Sequence, residues 1–270
     1  MSTAPIGVFD SGVGGLSVLR AIHQQLPGEN ILYLADQAHV PYGPRSLEQV
    51  QTFSESITRY FLAHQAKLVV VACNTASAAA LHHLRRVFPE TPFVGMEPAV
   101  KPAAESTHSG VVGVLATPAT FQGELYASVV ERFASEVEII QHTCPGLVEE
   151  IEAGKLEGTQ TRAILTEALA PMLAAGIDTV VLGCTHYPFA IPLIQQIAGP
   201  EVRVIDPAPA IARQVGRLLD KNQLRNTTSE QGSTSYLTTG NLARFNQLLP
   251  KLGFDGITVK LEWGKDLLQD

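Results

Sequence analysis

Read as two halves, the chain repeats itself, and a duplicated α/β pattern leaves few folds open. Gly113-Val114-Leu115 falls on Gly7-Val8-Phe9, Cys184 on Cys73, and Asp206-Pro207-Ala208 on Glu97-Pro98-Ala99, at an offset of roughly 110 positions that drifts with loop length. Short β-branched runs alternate with longer helical periodicity in both halves. The first reads "IGVF", a helix from about Gly14, "ILYLA", a helix from Ser46, "KLVVVA" and a helix after Thr75. The second reads "GVVGVLAT", a helix near 120–134, "VEII", two helical stretches, "DTVVLG" and "VRVID". Strands separated by helices pair in parallel. The predicted fold class is therefore α/β, with two pseudosymmetric domains, each an open, mostly parallel sheet flanked by helices, and the active site in the cleft between them.

The two acidic-Pro-Ala points read as crossings between domains, because proline halts the preceding element and fixes the turn. This predicts a first, discontinuous domain at 1–97 plus 207–270 and a second at 98–206. After the polar break "NQLRNTTSEQGSTS", the strand "SYLTTG" is expected to return to the first domain. Ser46 and Gln49 have capping-box spacing, and Ile57, Tyr60 and Phe61 give that helix an apolar face that reads as core. Lys67 and Lys101 read as surface residues.

With 270 residues, 45% hydrophobic and 17% charged, the chain can bury a substantial core. A net charge of −7 without clustered Lys and Arg excludes a surface that tracks nucleic-acid phosphates, so a small molecule is the expected partner. "MSTAPIGVFDS" lacks a signal-peptide pattern and no run is long enough to span a bilayer, so no membrane association is expected. Ile6 already belongs to the first strand, which leaves no room ahead of it for a regulatory segment. Three cysteines, Cys73, Cys144 and Cys184, make a poor disulfide framework, and a cytoplasmic location with free thiols is expected.

Ligands of open parallel sheets sit beyond the carboxyl ends of the strands. There stand Asp10 and Ser11, Asp36, the loop "VPYGPRS", Cys73-Asn74-Thr75, Thr117 and Thr120, and Cys184-Thr185-His186. A free thiol has a pKa of about 8.5 and becomes nucleophilic where a helix N-terminus or a histidine favours the thiolate. Each half offers one cysteine at the same point, at the start of a helix. Two opposed thiols across one cleft imply proton exchange at a single carbon. A buried cysteine alone reads as a small hydrophobe, as Cys144 does. The polar residues after Cys73 and Cys184 favour a reactive reading for that pair.

Three other readings stay open at this point. Cys73, Cys184 and His186 could ligate zinc, although no metal-type spacing accompanies them. "FDSGVGGLS" with Asp36 could be a dinucleotide fingerprint, although Ser17 stands where its third glycine belongs. A two-lobed binding protein without chemistry would have little use for paired thiols.

The stretches "GVFDSGVGGLSVL", "ADQAHVPYG", "VVACNTASA" and "VVLGCTHYP" resemble the glutamate racemases of the aspartate/glutamate racemase superfamily, over about the whole chain and in the family's order. The resemblance implies a cofactor-independent isomerase that interconverts L- and D-glutamate for peptidoglycan synthesis, cell-wall biogenesis and cell shape, with no metal. It implies that Cys184 takes the α-proton from L-glutamate while Cys73 returns one, with the roles reversed for D-glutamate. Asp10 and His186 would assist them, and Glu152 is a further candidate, with Glu149 and Glu150 as neighbouring alternatives in a segment that departs from the family's more apolar pattern. The resemblance also implies that Asp10, Ser11, Tyr42, Gly43, Asn74, Thr75, Thr117, Thr120, Thr185 and His186 hold the amino and carboxylate groups. A homodimer is expected.

Overall fold

The β-branched runs form strands and the periodic stretches between them form helices. A computed structural model describes residues 3–134, 136–228, 230–264 and 268–269. The chain begins with β1 (Ile6–Asp10), α1 (Leu16–Gln25), β2 (Ile31–Ala35), α2 (Leu47–Ala63), β3 (Leu68–Val71), α3 (Asn74–Val87) and β4 (Phe93–Gly95). A second set follows: α4 (Val100–Ser106), β5 (Val111–Ala116), α5 (Pro118–Gln122), α6 (Glu124–Phe133), β6 (Glu138–His142), α7 (Leu147–Glu152), α8 (Thr159–Ala174), β7 (Thr179–Gly183), α9 (Ile191–Ala198) and β8 (Arg203–Ile205). The remainder holds α10 (Ala208–Lys221), β9 (Thr234–Thr238), α11 (Leu242–Leu248), β10 (Ile257–Lys260), β11 (Glu262–Trp263) and β12 (Leu268–Gln269). The contacts divide the chain into two compact units: one runs to Met96 and resumes at Ala208, and the other spans Glu97–Pro207.

Among the described residues each unit holds one parallel sheet. The order is β10-β9-β2-β1-β3-β4 in the first unit and β6-β5-β7-β8 in the second. The run β2-β1-β3-β4 thus has the same order as β6-β5-β7-β8, which is the sequence repeat expressed as topology. The paired glycines of that repeat have the same task. A Cβ added at Gly7 in β1 would stand 2.5 Å from the Phe61 ring of α2, and one added at Gly113 in β5 would stand 2.7 Å from the Met172 sulfur of α8. In each unit a bare strand position lets a helix side chain settle onto the sheet, so packing restricts that position to glycine.

Local signals behave as read at the start of α2. The Ser46 hydroxyl accepts the Gln49 N–H while the Gln49 side chain accepts the Ser46 N–H, and Ile57, Tyr60 and Phe61 are buried on the helix's inner face. Other stretches differ from the reading. The helix expected near 120–134 breaks at Gly123, whose backbone is extended (φ −74°, ψ 137°), and becomes α5 and α6. After Cys184 the chain enters a 3-10 turn at Tyr187–Ala190, and α9 starts only at Ile191, because Pro188 and Pro192 lack the N–H groups that would let one α-helix run through. Of the two sequence-expected helices that a cysteine was to begin, only the first starts at its cysteine.

Lys67 corrects the surface assignment. Its ammonium is buried and lies 2.6 Å from the equally buried Glu29 carboxylate, whose other oxygen accepts the Asn226 N–H at 2.8 Å. Lysine is exposed by default, and nothing local signals a partner so distant in the sequence. The pair fastens the start of β3 and the segment after α10 to the turn before β2. Removing one partner strands the other charge in the interior, so Lys67→Ala is expected to lower stability by about 3–5 kcal/mol in denaturant unfolding. A loss below about 1 kcal/mol, the range of an exposed pair, would mean that the site is wet.

In the second unit Asp178 ties the turn before β7 to the turn before β5. Its carboxylate accepts from the Thr107 hydroxyl at 2.7 Å and the Ser109 N–H at 2.8 Å, and also from the His108 N–H. Burial alone would raise its pKa, but these bonds outweigh that and hold it well below the usual carboxylate range. A depressed folded-state pKa contributes stability that is fully present above the unfolded value near 4 and is lost as pH falls through the folded one. Asp178→Asn is therefore expected to lower the melting temperature most at neutral pH, with a difference that shrinks as pH drops below about 4. A difference independent of pH from 7 to 3 would contradict this.

Candidate active site

Every residue singled out at a strand end of the first unit sits at or just past the carboxyl edge of its sheet. Asp10 ends β1 and is fully buried, and its carboxylate accepts the Gly12 N–H at 3.1 Å. The buried Tyr33 hydroxyl of β2 donates to the Gly12 carbonyl at 2.8 Å and pins this turn from the neighbouring strand. A Cβ at Gly15 would lie 2.7 Å from that of Asp10, so "GVGG" lets α1 start tight against the acid.

Cys73 is the N-cap of α3. Its backbone is extended and its sulfur accepts the Ala76 N–H at 3.4 Å, with the Ser11 hydroxyl 3.9 Å away. A helix N-terminus thus aims one of its unpaired donors at the sulfur. Asn74 is buried, and among the described residues its side-chain amide has no hydrogen-bond partner at either end. An unmatched buried amide costs about 1–3 kcal/mol, and beside a thiol it marks a place built for a polar ligand. Thr75 and Ser11 are buried next to these groups, while Gly43 is half-buried.

Asp36, which the dinucleotide reading would direct at a ribose, is committed elsewhere. Its fully buried carboxylate accepts from the Tyr42 hydroxyl (2.6 Å), the Thr239 hydroxyl (2.7 Å), the Trp263 indole N–H (2.8 Å) and His39 Nδ1 (2.9 Å). Four donors fill its acceptor sites. The Gly12 N–H that a pyrophosphate would need is taken by Asp10, so the dinucleotide reading is set aside. Burial and the charge on Asp36 raise the Tyr42 phenol well above its ordinary value, which keeps it a donor.

In the second unit, Cys184 directly follows β7, whereas Cys73 follows β3 after one residue, Ala72, and Cys184 is buried with Thr185 and His186. His186 Nε2 lies 2.7 Å from Glu152 Oε1, with the side chains 2% and 11% exposed. A carboxylate only accepts, so Nε2 carries the hydrogen. Of the three glutamates in α7, Glu152 is the one that meets His186, while Glu149 is exposed and Glu150 faces Lys155 at 3.6 Å. Thr117 caps α5 through the Thr120 N–H at 3.3 Å and shares a 2.9 Å hydroxyl contact with buried Thr120.

Cys144 is buried, and this pushes its thiol up to about 12, so at neutral pH it stays protonated. It lies close to Tyr187, whose phenol burial also raises. Sequence reasoning missed that contact, the Tyr33–Gly12 pin and the Asp36 hub. Each joins residues far apart in the chain and carries no local pattern.

A family model described as Asp/Glu/hydantoin racemase matches residues 6–215. The chain belongs to the Asp/Glu/hydantoin racemase family. It is 52% identical over 252 residues to a glutamate racemase of Roseiflexus sp., covering 93% of each chain. Among solved structures it is similar to glutamate racemase isoform RacE1 of Bacillus anthracis, with a TM-score of 0.87, 31% identity, and 99% and 100% of the two chains covered. It is also similar to the Escherichia coli glutamate racemase solved with L-glutamate and the activator UDP-MurNAc-Ala, with a TM-score of 0.84, 34% identity, and 96% and 99% covered.

The unmatched amide generates a test that needs no ligand. Asn74→Ala removes a buried group without breaking a bond, so the melting temperature of the free protein is expected to stay level or rise. A fall of several degrees would mean that the amide already has a partner.

Proposed function

We propose that this chain racemises glutamate without a cofactor, using Cys73 and Cys184 as a pair of acid/base groups on opposite faces of the α-carbon. The observation that carries the reading is the duplicated strand order, with a buried cysteine within two residues of the end of the corresponding strand of each unit. The first domain would comprise residues 1–97 plus 207–270 and the second residues 98–206. The relatives at about half identity are glutamate racemases, and the Escherichia coli relative was solved with L-glutamate.

Cys184 thiolate takes the α-proton of L-glutamate, the electron pair stays on the substrate as a carbanion delocalised into the carboxylate, and the Cys73 thiol delivers its proton to the other face. D-glutamate runs the same steps in reverse. The α-hydrogen is weakly acidic, so fixed donors around the carboxylate and exclusion of water must stabilise the carbanion. Asn74, with its unmatched amide, supplies such donors, and Ser11, Tyr42, Gly43, Thr75, Thr117, Thr120 and Thr185 complete the cradle for the amino and carboxylate groups. Asp10 assists on the Cys73 side. His186, held by Glu152, moves protons to and from Cys184. The D-glutamate serves peptidoglycan synthesis in the cytoplasm, and the enzyme acts as a homodimer.

Purified protein dialysed against chelator is expected to abolish the optical activity of either glutamate enantiomer, followed by circular dichroism with nothing else added. Cys73→Ser and Cys184→Ser should each lose nearly all racemisation. Yet each should still eliminate halide from one enantiomer of a β-halogenated analogue, because one thiol remains for one face. A requirement for added metal, or a single serine variant that racemises at the wild-type rate, would contradict the two-thiol reading.

A further inference from the structure

Asp36 follows β2 within the first unit, and its four donors come from three separate segments. His39 and Tyr42 belong to the loop after β2, Thr239 follows β9, and Trp263 lies in β11. Beneath this carboxylate the rings close together. His39 stacks on Phe53 at 3.9 Å with planes 10° apart, and the Trp263 ring meets His39 at 5.0 Å and Phe53 at 5.6 Å. The C-terminal hairpin that carries Trp263 is itself anchored, since the Leu261 N–H donates to Thr238 O at 2.8 Å and the Leu268 N–H to the Ser56 hydroxyl of α2 at 3.0 Å.

The loop has its own bonds, from the His39 N–H to Asp36 O and from Arg45 to His39 O and Tyr42 O, and contacts from distant segments add to them. Its Tyr42 phenol ends on a carboxylate that three other donors orient, two of them from the C-terminal third of the chain. We propose that Trp263 is a positioning residue: through Asp36 it fixes the Tyr42–Gly43 loop in the conformation that receives the substrate carboxylate. This rests on the functional reading above, in which Tyr42 and Gly43 contact glutamate. Trp263 touches no reacting atom. Its effect is to remove motion from a wall of the site, so that binding need not order it.

Trp263→Phe keeps an aromatic ring against His39 and Phe53 and removes only the N–H. It is expected to raise KM for both glutamate enantiomers about 3–10-fold, less than the full value of a hydrogen bond to a charged group because Trp263 acts on the substrate only through Asp36 and Tyr42. The thiols that carry the chemistry are untouched, so kcat should stay within about twofold, with the melting temperature little changed. Thr239→Val removes the other donor to the same Asp36 oxygen and should reproduce the KM rise. Trp263 is the only tryptophan, so the wild-type emission reports on this residue alone and should change as glutamate saturates the enzyme.

Unchanged KM in a folded Trp263→Phe enzyme would overturn the proposal, as would a loss of kcat that tracks a lowered melting temperature. Should the variant not fold, wild-type emission that is indifferent to saturating glutamate overturns it. Wild-type protein that does not racemise glutamate would instead contradict the functional reading, which is a separate result.

Discussion

Where a parallel strand gives way to a helix, the first backbone N–H groups have no partner within the helix, and two side chains of the candidate site, those of Cys73 and Thr117, meet them. Cys73 sulfur takes the Ala76 N–H and Thr117 takes that of Thr120, while Asp10 takes the Gly12 N–H in the turn ahead of α1. These groups cap the local backbone and stand at the edge where ligands of such sheets bind. The fold thus positions its chemistry with the same hydrogen bonds that let its helices start. Cys73 is the sharpest case, because a residue with weak capping ability occupies a cap. Its sulfur both packs in the hydrophobic core of the first unit and accepts the Ala76 N–H.

Duplication then does for the protein what a single site could not. A racemase must treat mirror-image substrates with equivalent machinery, and in the proposed mechanism two sheets with the same strand order would supply one thiol each. The equivalence is not complete. Cys73 starts a long α-helix, whereas Cys184 leads into a short 3-10 turn, with His186 locked by Glu152 close by. In the proposed mechanism a helix N-terminus at Cys73 and a histidine–glutamate pair near Cys184 would be different physical means of managing a proton at sulfur. The two half-reactions need not share rate constants, even though enantiomers share one free energy.

Legibility in the sequence followed the range of the interaction. Parallel α/β architecture could be read because β-branched runs, helical periodicity and the Ser46–Gln49 capping box are local, and because the repeat supplied the strand order twice. Lys67 was misread because its partner Glu29 is brought in only by the sheet, and the break at Gly123 because a glycine inside a helical pattern carries no mark of whether it will interrupt it. Cys73 and Cys184 stood out by their neighbours at strand ends. The choice of Glu152 over Glu149 and Glu150 needed coordinates, since all three satisfy the same pattern on α7. The Asp36 hub was invisible for the same reason: its donors lie at 39, 42, 239 and 263, and no window of sequence contains them together.

The central claim, two thiols acting on opposite faces, is tested most directly by racemisation in deuterium oxide. The enantiomers would be separated at low conversion and their Cα label measured by mass spectrometry, starting from each in turn. Two bases predict that the product carries a solvent-derived deuterium from its first appearance, while the recovered starting enantiomer remains unlabelled. Deuterium entering the recovered substrate as fast as the product would mean that one group serves both faces, and would contradict the account.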